Sequence, residues 1–162
     1  MPDNIISKVV ELENCKKDKF IEAVYKPEFW LIINPAKKME AKFTAPNVLY
    51  TKIIDEIINI KIEMEGELVL QDLGEQEGDK GRLIDMNVRN NKDVKELEGR
   101  IRIKAITPNK SKIGVFIDSF TLSSDFLGLV GRSVAELTLR TKITEMLRNL
   151  ERWLKKNSFE DL

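Results

Sequence analysis

The side chains that could carry chemistry in this chain are carboxylates, amines and two tyrosines, because its 162 residues include no histidine and one cysteine. Without histidine, the Ser-His-Asp and Cys-His nucleophilic systems and all histidine-containing metal sites are excluded. A single cysteine also excludes thiolate zinc sites, iron–sulfur sites and an intrachain disulfide. Two lysines follow Cys15, but a lone thiol without a base is a poor nucleophile. We therefore expect no cofactor and no metal, with an oxygen-ligated Mg²⁺ or Ca²⁺ at Glu75, Glu77 and Asp79 as the one exception.

Asp118 is the carboxylate whose setting could support catalysis. It alternates with Phe116 and Phe120, so it would be buried if that phase of its strand faces the interior. A buried carboxylate needs a partner or a raised pKa, and it could then bind a ligand or accept a proton. If Val115 and Ile117 face inward instead, Asp118 lies on the surface, and this is the interpretation that we favour.

A basic stripe of period two, formed by Arg100, Arg102 and Lys104, could contact phosphates. However, Lys+Arg and Asp+Glu are both 27, so the chain has no global field that would attract nucleic acid. Acidic residues at 96 and 98 and on the strand containing positions 63, 65 and 67 offer cross-strand neutralisation. We expect a solvated sheet face and no nucleic-acid partner.

Hydrophobic periodicity predicts the elements that would position these residues. After the first strand, a helix over 19–25 with Asn14 or Asp18 as its cap and a second apolar turn over 28–33 are separated by Pro27. Gly66 is expected to mark a bulge, and 74–81 an acidic loop. Alternation of apolar and polar residues predicts seven strands, at 4–13, 36–44, 48–55, 58–70, 82–88, 97–106 and 113–122.

A long amphipathic helix is predicted over 124–156, with an apolar stripe that begins at Leu127, Val130, Val134 and Leu137. Small residues form one of its edges. Two glycines in one turn are unfavourable in a helix and call for a reason. Either they leave room at a cavity mouth, or they belong to a lead-in loop before a capping box that starts at Ser133. The small edge consists of Gly128, Gly131, Ala135 and Thr138.

The order of these elements, together with the stretch DFLGLVGRSVAELTLRTKITEMLRNLERWLKK, resembles the START-like (SRPBCC) superfamily. That superfamily includes polyketide cyclases, coenzyme Q-binding proteins and plant pathogenesis-related lipid binders. The resemblance implies an α+β helix-grip fold, in which a seven-stranded curved antiparallel sheet wraps around a long C-terminal helix and two short helices lie between strands 1 and 2. It implies a single START-like domain over 1–157. The terminal residues 158–162 are expected to fray, as chain ends commonly do. The resemblance also implies a cavity between sheet and helix for an apolar small molecule.

We therefore expect a binding or carrier protein for a lipid, quinone or polyketide-like compound, and favour a non-catalytic role. One alternative is a cyclase or hydratase type of enzyme that uses a cavity carboxylate such as Asp118. Another is a protein-interaction module, since the last strand is apolar in both phases. The inward-pointing large residues would suit an ordinary core equally well. The candidate ligand-binding residues are Met39, Phe43, Met64, Met86, Phe116, Asp118, Phe120, Gly128, Gly131, Ala135 and Met146.

The remaining expectations concern location and partners. No apolar run approaches the roughly 20 residues that span a bilayer, and the first residues lack the features of a signal peptide. We expect a cytoplasmic protein without stable membrane insertion whose partner is an apolar small molecule. We assign no oligomeric state.

Overall fold

The computed structural model describes residues 5–57 and 59–162, so the predicted strand positions Asn4 and Ile58 lie outside the described residues. Its elements follow the predicted order. The strands are β1 (Ile6–Glu13), β2 (Lys38–Ala45), β3 (Val48–Ile57), β4 (Ile60–Gln76), β5 (Gly81–Arg89), β6 (Val94–Thr107) and β7 (Lys110–Leu122). The helices are α1 (Lys17–Val24), α2 (Pro27–Ile33), α3 (Ser124–Val130) and α4 (Arg132–Leu154), followed by a 3₁₀ turn at Phe159–Asp161.

The seven strands form one antiparallel sheet in the order β1-β7-β6-β5-β4-β3-β2, with β1 and β2 at its edges. Strands 2 to 7 follow each other as neighbours, so they form successive hairpins, while β1 pairs with the last strand. Because alternate residues point to opposite faces, each amphipathic strand directs its apolar side chains to the face covered by α4. This curved α+β sheet gripping a C-terminal helix confirms the predicted helix-grip fold.

The C-terminal half of α4 is held firmly against the rest of the molecule. Ile143, Leu147, Leu150 and Leu154 recur every three or four residues and are all buried. They face the region where α4 approaches α2 and β1. This end of the helix therefore contributes to the single apolar core that the sheet and helices share.

The chain end is packed, and the predicted frayed tail is wrong. Phe159 is buried, with its ring centroid 6.1 Å from that of Phe20 and 5.9 Å from that of Trp153. A capping box at Ser158 and Asp161 closes the 3₁₀ turn. Aromatic burial therefore stabilises the last turn, although the composition of the segment is mostly polar.

Asn14 does not cap α1 as predicted. The N-cap of α1 is Lys16, which makes no side-chain capping bond. Asn14 has a positive φ of 54°, and its side-chain amide donates to the carbonyl oxygens of Leu154 and Asn157, both at 2.9 Å. It thus satisfies carbonyl groups at the C-terminal end of α4, where helical carbonyls lack partners. Asp18, the other candidate cap, lies within the first turn of α1.

Strand β4 is longer than its sequence pattern suggested. The predicted acidic loop at 74–81 is shorter than expected and spans 77–80, since β4 continues to Gln76 and pairs there with Gly81, the first residue of β5. The register irregularity lies between Asp72 and Gly74, whereas Gly66 pairs regularly. Gly66 is required for another reason, because a Cβ atom there would lie 2.8 Å from the side chain of Asn91.

The predicted helix over 124–156 is divided at Gly131 into α3 and α4. Gly131 has φ 85° and ψ 150°, a backbone region that is essentially restricted to glycine. The helix α4 begins at Arg132, so the capping box expected at Ser133 is absent. The break also changes the helical phase, and Leu137 is 63% exposed instead of lying on the buried stripe. The buried stripe of α4 begins instead at Ala135.

Candidate ligand cavity

A cavity of about 360 Å³ lies between the sheet and α4, whose lining residues run from Ala135 to Leu150. It exists because α4 approaches α2 and β1 most closely, which leaves the inner face of the central strands without a close helical neighbour. Its walls come from α1 to α4 and from β2 to β7. They are mostly aliphatic, methionine and aromatic side chains, among them Phe20, Phe29, Trp30, Ile53, Ile62, Leu68, Val88, Ile101, Val115, Leu139 and Ile143.

The structure places about half of the predicted ligand-binding residues on this cavity. They come from five different elements. On β4 and β5 they lie on the face of the strand that the alternation of apolar and polar residues predicted to be interior. The lining residues among those predicted are Met39, Met64, Met86, Phe120, Ala135 and Met146.

A β-bulge in β7 moves two predicted residues away from the cavity. Glu98 pairs with Ser119, but its neighbour Gly99 pairs with Ile117, so Asp118 is an extra residue in the ladder. At this point the residues of β7 that face the interior change from odd-numbered to even-numbered positions. Lining residues are Ile113, Val115 and Ile117 before the bulge and Phe120 and Leu122 after it. Phe116 and Asp118 are not among them, which corrects their inclusion as candidate ligand contacts.

Both residues instead interact with Arg100 on the adjacent strand β6. The guanidinium group forms an ion pair with the carboxylate of Asp118 and lies 5.4 Å from the ring centroid of Phe116. Both faces of β7 carry apolar side chains, and the fold accounts for each face separately. One phase lines the cavity, and the other includes a ring covered by Arg100. This removes the sequence argument for an interaction surface on that strand.

The other predicted residues that lie off the cavity are Phe43 and the two glycines of the helical region. Phe43 packs against Tyr25, with ring centroids 6.4 Å apart. Gly128 and Gly131 do not line the cavity, and a Cβ atom at either would meet no atom within 4 Å. The expectation that they bound a cavity mouth is therefore corrected, and Ala135 is the nearest small residue that does line it.

The basic side chains on β6 are bound within the fold, but not by the partners expected from the sequence. Arg102 donates to the carbonyl oxygen of Lys80 at 3.1 Å, and Lys104 pairs with Asp79 at 3.1 Å. The acidic residues of β4 are not adjacent, because β5 lies between β4 and β6.

Glu75 forms an ion pair with Lys17. Two of the three acids considered for a cation are thus ion-paired, and among the described residues no group of three Asp, Glu or Cys side chains could hold a metal ion.

An ion pair that the sequence analysis missed forms part of the cavity wall. The Nζ atom of Lys142 on α4 lies 2.9 Å from Oδ2 of Asp55 on β3 and donates to the carbonyl oxygen of Pro35 at 3.1 Å. All three residues line the cavity. The sequence contains the signal: Asp55 continues the phase of Leu49, Thr51 and Ile53, and Lys142 follows Ala135 by two helical turns.

Cys15 lies outside the cavity and is fully buried. Its carbonyl oxygen accepts a hydrogen bond of 2.7 Å from the Ser111 hydroxyl. Burial raises the pKa of the thiol from 9.0 to about 12, so the thiolate needed for nucleophilic chemistry does not form near neutral pH. The Cys15 environment is therefore structural.

Alkaline pH should destabilise the protein through this thiol. The folded-state pKa of Cys15 is about 12 against 9.0 in the absence of burial, so the folded state retains a proton that the unfolded state loses. The resulting stability is fully present below pH 9.0 and is lost as the pH rises towards 12. Between about pH 8 and about pH 10.5, urea unfolding midpoints should fall more for the wild type than for Cys15→Ala. Equal losses, or rapid reaction of the native thiol with a disulfide reagent at neutral pH, would contradict this.

No protein-family model and no curated protein matches the sequence. Solved structures do match. A START superfamily protein from Mycobacterium smegmatis is 18% identical with a TM-score of 0.62, covering 92% of this chain and 97% of that one. The Zhui aromatase/cyclase from Streptomyces sp. R1128 is 12% identical with a TM-score of 0.67, covering 93% of each chain. Norcoclaurine synthase from Thalictrum flavum, in complex with dopamine and hydroxybenzaldehyde, is 13% identical with a TM-score of 0.52, covering 94% of this chain and 90% of that one.

At these identities the likeness establishes the fold. The chain has the START-like helix-grip fold that its sequence resembled. Within the described ranges, no helix is both long enough and apolar enough to cross a membrane.

Proposed function

We propose that the protein binds a hydrophobic small molecule, such as a lipid, quinone or polyketide-like compound, in the cavity between the sheet and α4, and acts as a binding or carrier protein. The observation that supports this most directly is the cavity itself. Its volume of about 360 Å³ is within the usual range of small-molecule sites, and its walls are mainly apolar. A well-packed core contains few voids larger than a water molecule.

The composition of the walls supports an adaptable apolar site. Met39, Met64, Met86 and Met146 come from four different elements and all line the cavity. Unbranched thioether side chains change rotamer easily and fit ligands of irregular shape. Trp30 adds a large aromatic surface, and its indole N–H donates to the Val24 carbonyl oxygen at 2.8 Å. Its polar atom is therefore satisfied within the protein.

The cyclase or hydratase alternative receives less support from the carboxylates. Asp118 lies off the cavity, so it is not available as the proposed acid or base. Among the described residues, the carboxylates that line the cavity are Asp55 and Glu67. Asp55 is paired with Lys142, and Glu67 is paired with Arg89 at 3.3 Å. Each of these carboxylates is thus already engaged by a basic side chain of the protein. Some proteins that share the fold are enzymes, but they support this alternative only through an analogy of fold.

Filling the cavity should abolish binding without unfolding the protein. Ala135→Phe places an aromatic ring into the space between α4 and the sheet, because Ala135 lies on the cavity wall. We expect the wild type to bind the neutral fluorophore N-phenyl-1-naphthylamine in a one-to-one complex. The variant should keep its thermal unfolding temperature within a few degrees and lose at least about tenfold in affinity, which corresponds to about 1.4 kcal/mol. Fluorescence titration and circular dichroism provide the two measurements.

Ala105→Phe is the matched control, since Ala105 is exposed on β6 and does not line the cavity. It should bind the fluorophore as the wild type does. Native mass spectrometry of the purified protein, followed by solvent extraction, would identify a ligand that co-purifies. The proposal fails if the wild type binds neither fluorophore nor co-purifying molecule. It also fails if folded Ala135→Phe binds with unchanged affinity.

A further inference from the structure

We infer that the ligand carries a hydroxyl or phenol group and that this group is bound by the Asp55–Lys142 ion pair, while its apolar body fills the rest of the cavity. The inference rests on the proposed function and specifies its ligand. It follows from the hydrogen-bonding capacity and the charge of the pair.

Lys142 has hydrogen-bonding capacity that the protein does not use. An ammonium group has three N–H donors. Nζ lies 2.9 Å from Asp55 Oδ2 and 3.1 Å from the Pro35 carbonyl oxygen. Its next acidic neighbour, Glu145, has its carboxylate oxygen 3.9 Å away, which is beyond hydrogen-bond distance. Within the described part of the chain, one N–H of Lys142 is therefore left for another acceptor.

Asp55 offers the complementary acceptor. A carboxylate has two oxygens and about four lone-pair sites. The closest contact of Lys142 is with Oδ2, which occupies one of these acceptor sites. The side chain of Asp55 is only 15% exposed, so water has limited access to the remaining acceptor sites. The pair thus presents a donor and an acceptor side by side on the wall of one cavity.

The surroundings of the pair are apolar. On β3, Ile53 and Ile57 flank Asp55 in the inward phase, and on α4 Leu139 and Ile143 flank Lys142. Removing two charges from water is costly, and apolar residues of similar volume often stabilise a protein equally well at such positions. The position of the pair on the cavity wall, among apolar residues, therefore points to a role in ligand recognition.

The charges around Lys142 favour a neutral ligand group. Asp55 and Glu145 carry two negative charges near Lys142, and the exposed Lys37, which also interacts with Asp55, is itself paired with Glu56. A ligand carboxylate could accept from Lys142 but would be repelled by both acids, and it could not donate to Asp55. A ligand ammonium could donate to Asp55 but could not accept from Lys142. A hydroxyl group does both at once.

Three ten-carbon probes that differ only in their polar end test this inference: decanol, decanoate and decylammonium. Fluorescence of Trp30, which lines the cavity, reports binding. We expect the wild type to bind decanol at least about tenfold more tightly than either charged probe. In the double variant Asp55→Leu/Lys142→Met, which removes both charges together, the affinity for decanol should fall while the protein still binds the apolar fluorophore.

Two further variants make the test specific. The double variant Lys37→Met/Glu56→Gln removes an exposed ion pair that includes the next residue of β3 but lies off the cavity, and it should keep the wild-type preference for decanol. The double variant Asp55→Asn/Lys142→Gln keeps the shape and polarity of the pair without its charges. It should bind decanol and discriminate less against decanoate, and it replaces the apolar variant if that one does not fold.

The outcomes separate the two proposals. If no probe and no apolar fluorophore binds the wild type, the proposed function itself fails. If the fluorophore binds but a charged probe binds as tightly as decanol, the inference about the hydroxyl group fails alone. It fails as well if the preference for decanol persists in folded Asp55→Leu/Lys142→Met.

Discussion

Replacing Gly81 with alanine should lower the free energy of unfolding by about 3 kcal/mol, through backbone strain and a steric clash together. Gly81 has a positive φ of 86°, and an added Cβ atom would lie 2.4 Å from the carbonyl oxygen of Ile103. That oxygen cannot move away easily, because Ile103 is paired with Arg82 in the β5–β6 ladder and is fully buried. Urea unfolding followed by circular dichroism would measure the loss.

Gly128→Ala is the control for this substitution. Gly128 lies in α3, and an added Cβ atom would meet nothing within 4 Å. Alanine is preferred over glycine in a helix by up to about 1 kcal/mol, so this variant should be as stable as the wild type or more stable. A Gly81→Ala protein as stable as the wild type would show that the β4–β5 turn adapts without cost.

Element order and strand phase could be predicted from the sequence because both depend on local periodicity. The alternation Ile62, Met64, Leu68, Leu70 identifies the buried face of β4 without knowledge of its neighbours, and all four residues lie on the inner side. The helix-grip arrangement followed from the order of these elements. The methionine contacts of the cavity then followed from phase alone.

Prediction from the sequence pattern failed where a strand bulge or a helix break changed which residues of the element face the interior. The bulge at Asp118 depends on the pairing of β7 with β6, which alternation within β7 does not reveal. The break at Gly131 similarly shifts the buried stripe of α4, so Leu137 is exposed and Ala135 is buried. The consequence matters for function, because Asp118 lies off the cavity, as the favoured interpretation expected, and the enzymatic alternative loses the carboxylate named for it.

The Asp55–Lys142 pair was missed for a different reason. Asp55 is the last residue of the predicted strand at 48–55, where strand ends are commonly polar and exposed. Whether its inward phase leads into solvent or into a cavity depends on α4, which is distant in sequence. Only the fold brings Lys142 within 2.9 Å of it. A charged residue in an apolar phase is nevertheless a signal that merits attention before a structure is known.

Phe20→Ala should cause a large loss of stability, and a bound ligand should restore part of it. Phe20 is 2% exposed, contacts Phe29 and Phe159 edge to face with centroids 5.6 and 6.1 Å apart, and also lines the cavity. Removing a buried aromatic ring usually costs about 3–5 kcal/mol, because apolar burial is lost and a void remains. Here the void would join the ligand cavity. A larger apolar ligand that fills both spaces should therefore bind the variant more tightly than the wild type.

Binding to the folded state alone raises stability by an amount that grows with ligand concentration. The thermal shift caused by a large apolar ligand should therefore be greater for Phe20→Ala than for the wild type. Phe43→Ala is the matched control, because Phe43 is only half-buried, contacts Tyr25 and lies off the cavity. It should lose less stability and gain no additional ligand shift. Equal ligand shifts in the two variants would mean that the void left by the Phe20 ring does not join the ligand cavity.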